Sequence, residues 1–144
     1  MHEMKIQAVR VLRFEAGHRL VHHESKCATL HGHSYEVHIF CESAKLDQLG
    51  RVIDFAAIKE SVGSWIEEHW DHTMLLFKDD PALSFIKKCP SHKPVFVCDF
   101  NPTAENLAAY LLDEICPTCL RGTEIEVTKV RLYETANCYA EVGR

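Results

Sequence analysis

Three histidines have the spacing of a metal site. His31 and His33 flank Gly32 in a stretch whose apolar residues alternate, a pattern typical of a β-strand. Residues two apart on a strand point to the same side, so the two imidazoles should converge. His18 ends the preceding predicted strand on its apolar face, and it would join them if the strands pair. Three histidines with an open fourth position are typical of catalytic zinc, although imidazole also suits iron, copper and nickel.

Other reactive side chains flank this histidine set. Cys27 precedes His31 by four positions, and a thiol beside a divalent cation can serve as a base or a nucleophile. Cys27 could equally be a fourth ligand in a closed structural site, or a small buried hydrophobe. The pair Asp71-His72 follows a predicted helix, and an acid beside an imidazole can orient the ring for proton transfer.

Three further polar residues are candidates for contacts with a ligand or with the backbone. Glu134 shares the parity of Val130 and Leu132, so it continues an apolar stripe toward the interior. A buried carboxylate needs donors, which a ligand with adjacent N–H groups would supply, unless the side chain turns to solvent at the strand end. Thr103 is predicted to cap the second helix, and Glu105 in its first turn complements the helix dipole.

The elements that must position these residues follow from periodicity. Strands are predicted at 4–18, 31–41, 95–100, 124–134 and 138–142. One helix begins after Asp54, and a second follows Thr103 and ends at Pro117. Residues 70–94 are predicted to form a loop with a short helical turn, and residues 116–119 a loop. The class is α+β, with helices on one face of a mostly antiparallel sheet.

Composition favours one soluble domain over residues 1–144. The chain is 47% hydrophobic and 26% charged, and its length suits one core rather than two. A net charge of −5 argues against broad nucleic-acid binding. The sequence shows no apolar leader and no membrane span, and its seven cysteines, an odd number, are typical of thiols in a reducing compartment. We therefore expect a cytoplasmic protein.

Five segments together resemble the family of 6-pyruvoyl- and 6-carboxy-tetrahydropterin synthases. The segments are Phe-Glu-Ala-Gly-His-Arg-Leu from Phe14, Cys-Ala-Thr-Leu-His-Gly-His-Ser-Tyr from Cys27, Asp-His from Asp71, Asn-Pro-Thr-Ala-Glu-Asn-Leu from Asn101, and Tyr-Glu-Thr from Tyr133. The resemblance extends over nearly the whole chain. Each segment alone is weak, whereas five in this order are specific.

The resemblance implies a tunnelling fold, an antiparallel four-stranded sheet with two helices on one face that closes into a barrel by oligomerisation. The implied oligomer is a homotrimer or homohexamer with active sites between subunits, so that Asp71 and His72 serve a neighbour's metal. The implied roles are zinc binding by His18, His31 and His33, proton abstraction by Cys27, a proton relay through Asp71 and His72, and recognition of the pterin ring by Glu134, which also joins the relay. Thr103 and Glu105, in the fourth segment, are candidate substrate-binding residues.

The implied substrate is 7,8-dihydroneopterin triphosphate. Three residues separate Cys27 from His31, as in the carboxy branch, which forms 6-carboxytetrahydropterin, acetaldehyde and triphosphate for 7-deazaguanine and queuosine synthesis. A pyruvoyl synthase, a non-catalytic zinc- or pterin-binding oligomer and a zinc hydrolase are the alternatives. Arg19 and Lys26 are candidate triphosphate contacts. Residues 75–94 form a longer stretch than in compact members of the family.

Overall fold

A six-stranded sheet organises the computed structural model, which describes residues 4–144. The strands are β1 (Ala8–His18), β2 (His31–Glu42), β3 (Thr73–Phe77), β4 (Phe96–Cys98), β5 (Glu126–Thr135) and β6 (Cys138–Gly143). Their order in the sheet is β4-β3-β1-β2-β5-β6. The α+β class is confirmed, whereas the expected count of four strands is wrong. The sheet is not closed, because β4 and β6 are its two edges.

The first two strands form the antiparallel pair that the sequence predicted. Their register places His18 opposite His31, and Ala16 opposite His33. Alternate residues from Tyr35 to the end of β2 are buried, because successive side chains on a strand point to opposite faces. This pairing fixes the relative positions of the three histidines before any helix is considered.

The region 70–94, predicted to be a loop, contains β3 and the helix α3 (Leu83–Lys88). Strand β3 pairs parallel to both β1 and β4, so the sheet is mixed rather than wholly antiparallel. Leu75 and Leu76 are both fully buried although they point to opposite faces. A strand buried on both faces has a continuous apolar sequence instead of alternating apolar and polar residues. Alternation in the sequence therefore could not reveal β3.

The first long helix runs from Phe55 to His69. It comprises α1 (Phe55–Ile58), a π-helical turn (Lys59–Gly63) and α2 (Ser64–His69). As predicted, Asp54 caps it, because the carboxylate accepts the N–H of Ala56 at 3.0 Å. Gly63 lies inside the helix, and a Cβ there would approach the side chain of Leu12 to 3.3 Å. The missing side chain therefore lets the helix lie close to β1.

The second long helix runs from Ala104 to Cys119. It comprises α4 (Ala104–Tyr110), a π-helical turn (Leu111–Ile115) and α5 (Cys116–Cys119). Thr103 is the predicted cap, since its side chain accepts the N–H of Asn106 at 3.1 Å. The predictions that Pro117 ends the helix and that 116–119 is a loop are wrong. Pro117 lies in the first turn of α5, where a missing N–H costs least.

The core lies between these two helices and one face of the sheet. Its fully buried members include Val37, Ile39, Ile58, Val62, Leu107, Leu111, Val130 and Leu132. The intervening residues of β1, Arg13 and Glu15, are exposed, so the side chains of this strand alternate between core and solvent. Among residues 4–144, no helix combines the length and the apolarity that a bilayer crossing requires.

Candidate metal centre and its surroundings

The ends of β1 and β2 bring the three predicted histidines together. One ligand nitrogen from each of His18, His31 and His33 lies within 4.8 Å of the other two. No other group of three His, Cys, Asp or Glu side chains within residues 4–144 clusters in this way. The predicted convergence of the three imidazoles is therefore confirmed.

In two of the three histidine rings, a main-chain carbonyl determines which nitrogen faces the centre of the cluster. The Nδ1 atom of His18 lies 2.7 Å from the carbonyl oxygen of Pro102. The Nδ1 atom of His31 lies 2.6 Å from the carbonyl oxygen of Thr29. Because a carbonyl oxygen only accepts, both Nδ1 atoms carry the proton and both Nε2 atoms present lone pairs. These two Nε2 atoms are 3.1 Å apart, an arrangement that is repulsive unless a cation binds them, so the donor set fits a divalent metal.

Burial favours the neutral imidazoles that metal binding requires. His18 is 1% exposed, and burial lowers its pKa to about 4, outweighing the hydrogen bond to Pro102. Burial also lowers the pKa of His33, an effect that the negative charge of Glu134 opposes and the nearby His31 reinforces. Neutral histidine is the form that binds a metal, and here it needs no deprotonation at neutral pH.

Glu134 faces the histidines from β5, as its parity predicted. Its Oε1 atom lies 3.7 Å from Nε2 of His18, and its side chain is 27% exposed. Val130 and Leu132 on the same face of β5 are fully buried. Burial raises the pKa of the neighbouring Tyr35 hydroxyl, and the charge of Glu134 raises it further. A half-buried carboxylate beside the three histidines is well placed to accept N–H groups of a ligand.

Cys27 lies in a 3₁₀ turn (Lys26–Ala28) of the loop that joins β1 to β2. Its side chain is half-buried, and its carbonyl oxygen accepts the N–H of Leu20 at 2.8 Å. This bond ties the turn to the residues that follow His18. The sulfur is not part of the cluster of three ligand atoms, which favours a role beside a metal rather than as its fourth ligand.

Asp71 and His72 form a turn between α2 and β3. The Oδ2 atom of Asp71 lies 2.8 Å from Nδ1 of His72, and its Oδ1 accepts the N–H of Glu15 at 2.8 Å. Burial alone would raise the pKa of Asp71, but hydrogen bonds from Glu15 and His72 and nearby positive charge outweigh it and hold this pKa below its usual range. The carboxylate therefore holds the proton of His72 on Nδ1 and leaves Nε2 as the basic atom of a ring whose side chain is 73% exposed.

One open cavity of about 1130 Å³ is lined by both His33, from the histidine cluster, and His72. The ends of β1 and β2 form one wall, with Gly17 and Gly32 at the surface. Residues 86–95, apart from the exposed Lys88, form another wall. The second half of the long segment 75–94 therefore lines the cavity.

Three other candidates have clear structural roles. Thr103 caps the second long helix, and Glu105 is exposed in its first turn. The guanidinium group of Arg19, a candidate triphosphate contact, forms an ion pair with the fully buried carboxylate of Asp80. Sequence patterns did not point to Asp80, because it is distant in the chain from Arg19, or to the Pro102 carbonyl, because a backbone carbonyl has no side-chain signature.

Comparison with known proteins identifies a family and several relatives of this chain. Residues 7–144 match the family model described as 6-pyruvoyl tetrahydropterin synthase. Proteins named 6-carboxy-5,6,7,8-tetrahydropterin synthase from Rickettsia felis and Rickettsia conorii are each 42% identical over 138 residues, covering 95% of this chain and 99% of each relative. A protein of the same name from Aquifex aeolicus is 32% identical over 160 residues, covering 96% of this chain and 98% of the relative.

Solved structures show the same architecture. An uncharacterized protein from Wolinella succinogenes superposes with a TM-score of 0.85 at 25% identity, covering 99% of both chains. The 6-pyruvoyl tetrahydropterin synthase of Caenorhabditis elegans gives a TM-score of 0.70 at 23% identity, covering 100% of this chain and 99% of that one. The fold is thus the α+β fold of the tetrahydropterin synthases, and this chain carries a cluster of three histidines within it. The chain belongs to the 6-pyruvoyl tetrahydropterin synthase family.

Proposed function

We propose that this protein is a zinc-dependent 6-carboxy-5,6,7,8-tetrahydropterin synthase, a lyase that acts on 7,8-dihydroneopterin triphosphate. Its products would be 6-carboxytetrahydropterin, acetaldehyde and triphosphate, and its place the route to 7-deazaguanine and queuosine. The convergence of His18, His31 and His33 carries the proposal, together with relatives of that name at 42% identity. The short interval between Cys27 and His31 favours the carboxy branch over the pyruvoyl branch.

The three histidines would hold zinc and leave a fourth position for the substrate. When bound, the metal polarises hydroxyl groups of the substrate side chain and so acidifies the adjacent C–H and O–H bonds. The carbonyls of Pro102 and Thr29 keep the rings of His18 and His31 in the required orientation, a common function of groups that contact metal ligands.

The remaining residues bind the pterin and move protons. The Glu134 carboxylate accepts hydrogen bonds from the amino group and the ring N–H of the pterin. These bonds fix the position of the substrate side chain. The Cys27 thiolate takes a proton from that side chain. His72 then passes protons at its Nε2 atom, while Asp71 holds the ring by its Nδ1–H.

We further propose a cytoplasmic homo-oligomer, a trimer or hexamer, in which Asp71 and His72 serve a neighbouring subunit's metal. The family resemblance supports this assembly, as do the two free sheet edges at β4 and β6, because barrel closure would pair them. All seven cysteines are free thiols in the structure, in keeping with a reducing compartment.

Acetaldehyde release is the direct test of the proposed branch. Zinc-loaded protein is mixed with 7,8-dihydroneopterin triphosphate, and acetaldehyde is followed through NADH consumption by added alcohol dehydrogenase. The proposal predicts acetaldehyde in proportion to the triphosphate released. Triphosphate without acetaldehyde would instead identify a pyruvoyl synthase, and neither product would favour a non-catalytic binding protein.

A further inference from the structure

Lys93 contacts the backbone of the turn that carries the relay pair. Its ammonium group donates to the carbonyl oxygen of Asp71 at 2.7 Å and also to that of Glu67. Glu67 lies in the last turn of α2, where carbonyl oxygens have no helical N–H partner. A cation at a helix C-terminus is also favoured by the helix dipole. Lys93 therefore joins the end of the helix to the residue that orients His72.

The turn needs such support because its backbone is strained. His72 has a φ of 55°, in the left-handed region that side chains other than glycine rarely adopt. Glu15 of β1 holds the turn on one side, with its N–H donating to Asp71 and its carbonyl accepting the N–H of His72. On the other side the carbonyl of Asp71 accepts from Lys93 and from the hydroxyl of Thr73.

Lys93 comes from the 86–95 wall of the cavity and is half-buried. A half-buried lysine that donates to two carbonyls is fixed in position, unlike an exposed lysine whose ammonium group samples solvent. The positive charge of Lys93 also helps to hold the pKa of Asp71 below its usual range, which keeps the carboxylate ionised. Geometry and charge thus act on the same residue.

We propose that Lys93 is a positioning residue, which holds the Asp71–His72 turn in its strained conformation and so directs the His72 ring into the cavity. Its kinetic consequence rests on the proposed function. The orientation and the tautomer of the His72 ring can be measured without any substrate.

The variant Lys93→Met keeps the aliphatic stem and removes the ammonium group. We expect kcat to fall roughly 10- to 100-fold, the range that misplacement of a reacting group produces, with KM and zinc content unchanged. Lys93→Arg, which keeps a charged donor, should recover part of the loss. Lys88→Met, an exposed lysine of the same segment, is the matched control and should retain the wild-type kcat.

Side-chain ¹⁵N NMR of histidine gives the second readout. The signals of His72 are identified by their absence in His72→Gln, and they should show the Nδ1–H tautomer in the wild type. Lys93→Met should shift this tautomer balance, whereas Lys88→Met should not. Unchanged His72 signals together with an unchanged kcat in Lys93→Met would overturn the proposal. An inactive wild-type protein would refute the proposed function instead, and the His72 signals would still decide the role of Lys93.

Discussion

At the scale of single residues, two backbone carbonyls orient two imidazole rings of the candidate metal centre. The carbonyls of Pro102 and Thr29 each accept a hydrogen bond from an Nδ1–H group, which turns Nε2 of His18 and His31 inward. Metal affinity then depends on the convergence of lone pairs, and the burial that lowers the pKa of His18 removes competition from protons. The residue types were evident from the sequence, whereas the carbonyl partners were not, because any residue can supply a carbonyl.

Removing one imidazole should abolish metal binding. Loss of a group that hydrogen-bonds to a metal ligand typically lowers metal affinity roughly 10- to 100-fold. In His31→Ala, which removes a ligand itself, we expect a larger fall in zinc affinity and a parallel fall in activity. Zinc content per chain, measured by mass spectrometry of the metal, is the readout. His38→Ala, on the same strand but outside the cluster, is the control. Wild-type zinc content in His31→Ala would refute the ligand assignment.

Substitution of Glu134 should weaken pterin binding and leave zinc binding unchanged. The variant Glu134→Gln keeps the shape of the side chain but replaces one acceptor oxygen by an NH₂ donor and removes the charge. Losing hydrogen bonds to a charged group typically costs about 1.5–3 kcal/mol, so we expect pterin affinity to fall roughly 10- to 100-fold. Fluorescence titration with a pterin measures this, and zinc content should be unchanged. Equal pterin affinity in variant and wild type would show that Glu134 does not bind the ring.

At the scale of elements, the ion pair of Arg19 and Asp80 joins the end of β1 to the segment before α3. The Asp80 carboxylate is fully buried and also accepts the N–H of Ala82 at 2.8 Å. Arg19 in turn lies next to His18 and donates to the carbonyl of Ala28, in the turn that carries Cys27. The pair therefore holds the end of β1, the Cys27 turn and the segment before α3 together.

Breaking this pair should destabilise the protein in a pH-dependent way. We expect Asp80→Asn to lower the free energy of unfolding by on the order of 3 kcal/mol at neutral pH. The Arg19 guanidinium holds the pKa of Asp80 below its usual range, so this contribution is complete above the unfolded-state pKa of about 4 and is lost as pH falls through the folded-state value. Urea unfolding at several pH values should therefore show the difference between wild type and Asp80→Asn shrinking below about pH 4.

Asp79, the exposed neighbour of Asp80, provides the control. Asp79→Asn removes one negative charge, as Asp80→Asn does, but at a position exposed to solvent. It should change stability by less than about 0.5 kcal/mol at any pH. A difference between Asp80→Asn and wild type that stays constant down to acid pH would contradict the role given to this ion pair.

Local signals predicted some elements and failed for others for identifiable reasons. The caps Asp54 and Thr103 and the alternation in β1 and β2 are encoded within a few residues, so sequence patterns found them. Strand β3 depends on parallel pairing with both neighbours, and its unbroken apolar run carries no period. Pro117 was expected to end a helix, but it lies in the first turn of the short helix α5 (Cys116–Cys119), which follows the π-helical turn directly.

At the scale of the whole molecule, assembly determines whether a site is made by one chain or by two. The cavity in a single chain is lined by both His33 and His72, while the family resemblance implies that the relay serves a neighbour. A subunit-mixing experiment separates these arrangements. Cys27→Ala and His72→Ala should each be nearly inactive, with losses of roughly 100- to 10,000-fold for removal of a proton-transfer group.

Mixed oligomers of the two variants should regain activity if sites lie between subunits. A pairing of one chain's intact Cys27 with another chain's intact His72 would then rebuild some complete sites. Equilibrium sedimentation should show a trimer or hexamer for each variant and for the mixture. Mixed oligomers that stay inactive would place both groups in one chain, and a stable, active monomer would refute the proposed assembly.

The identity of the pterin product decides whether this protein is a zinc-dependent 6-carboxytetrahydropterin synthase. Purified protein is incubated with 7,8-dihydroneopterin triphosphate, with and without a chelator, and the pterin products are identified by mass spectrometry. We predict 6-carboxytetrahydropterin in the untreated sample, none after chelation, and recovery on addition of zinc. A zinc-loaded oligomer that leaves the substrate unchanged, or forms 6-carboxytetrahydropterin equally well after complete metal removal, would contradict the proposed zinc-dependent synthase.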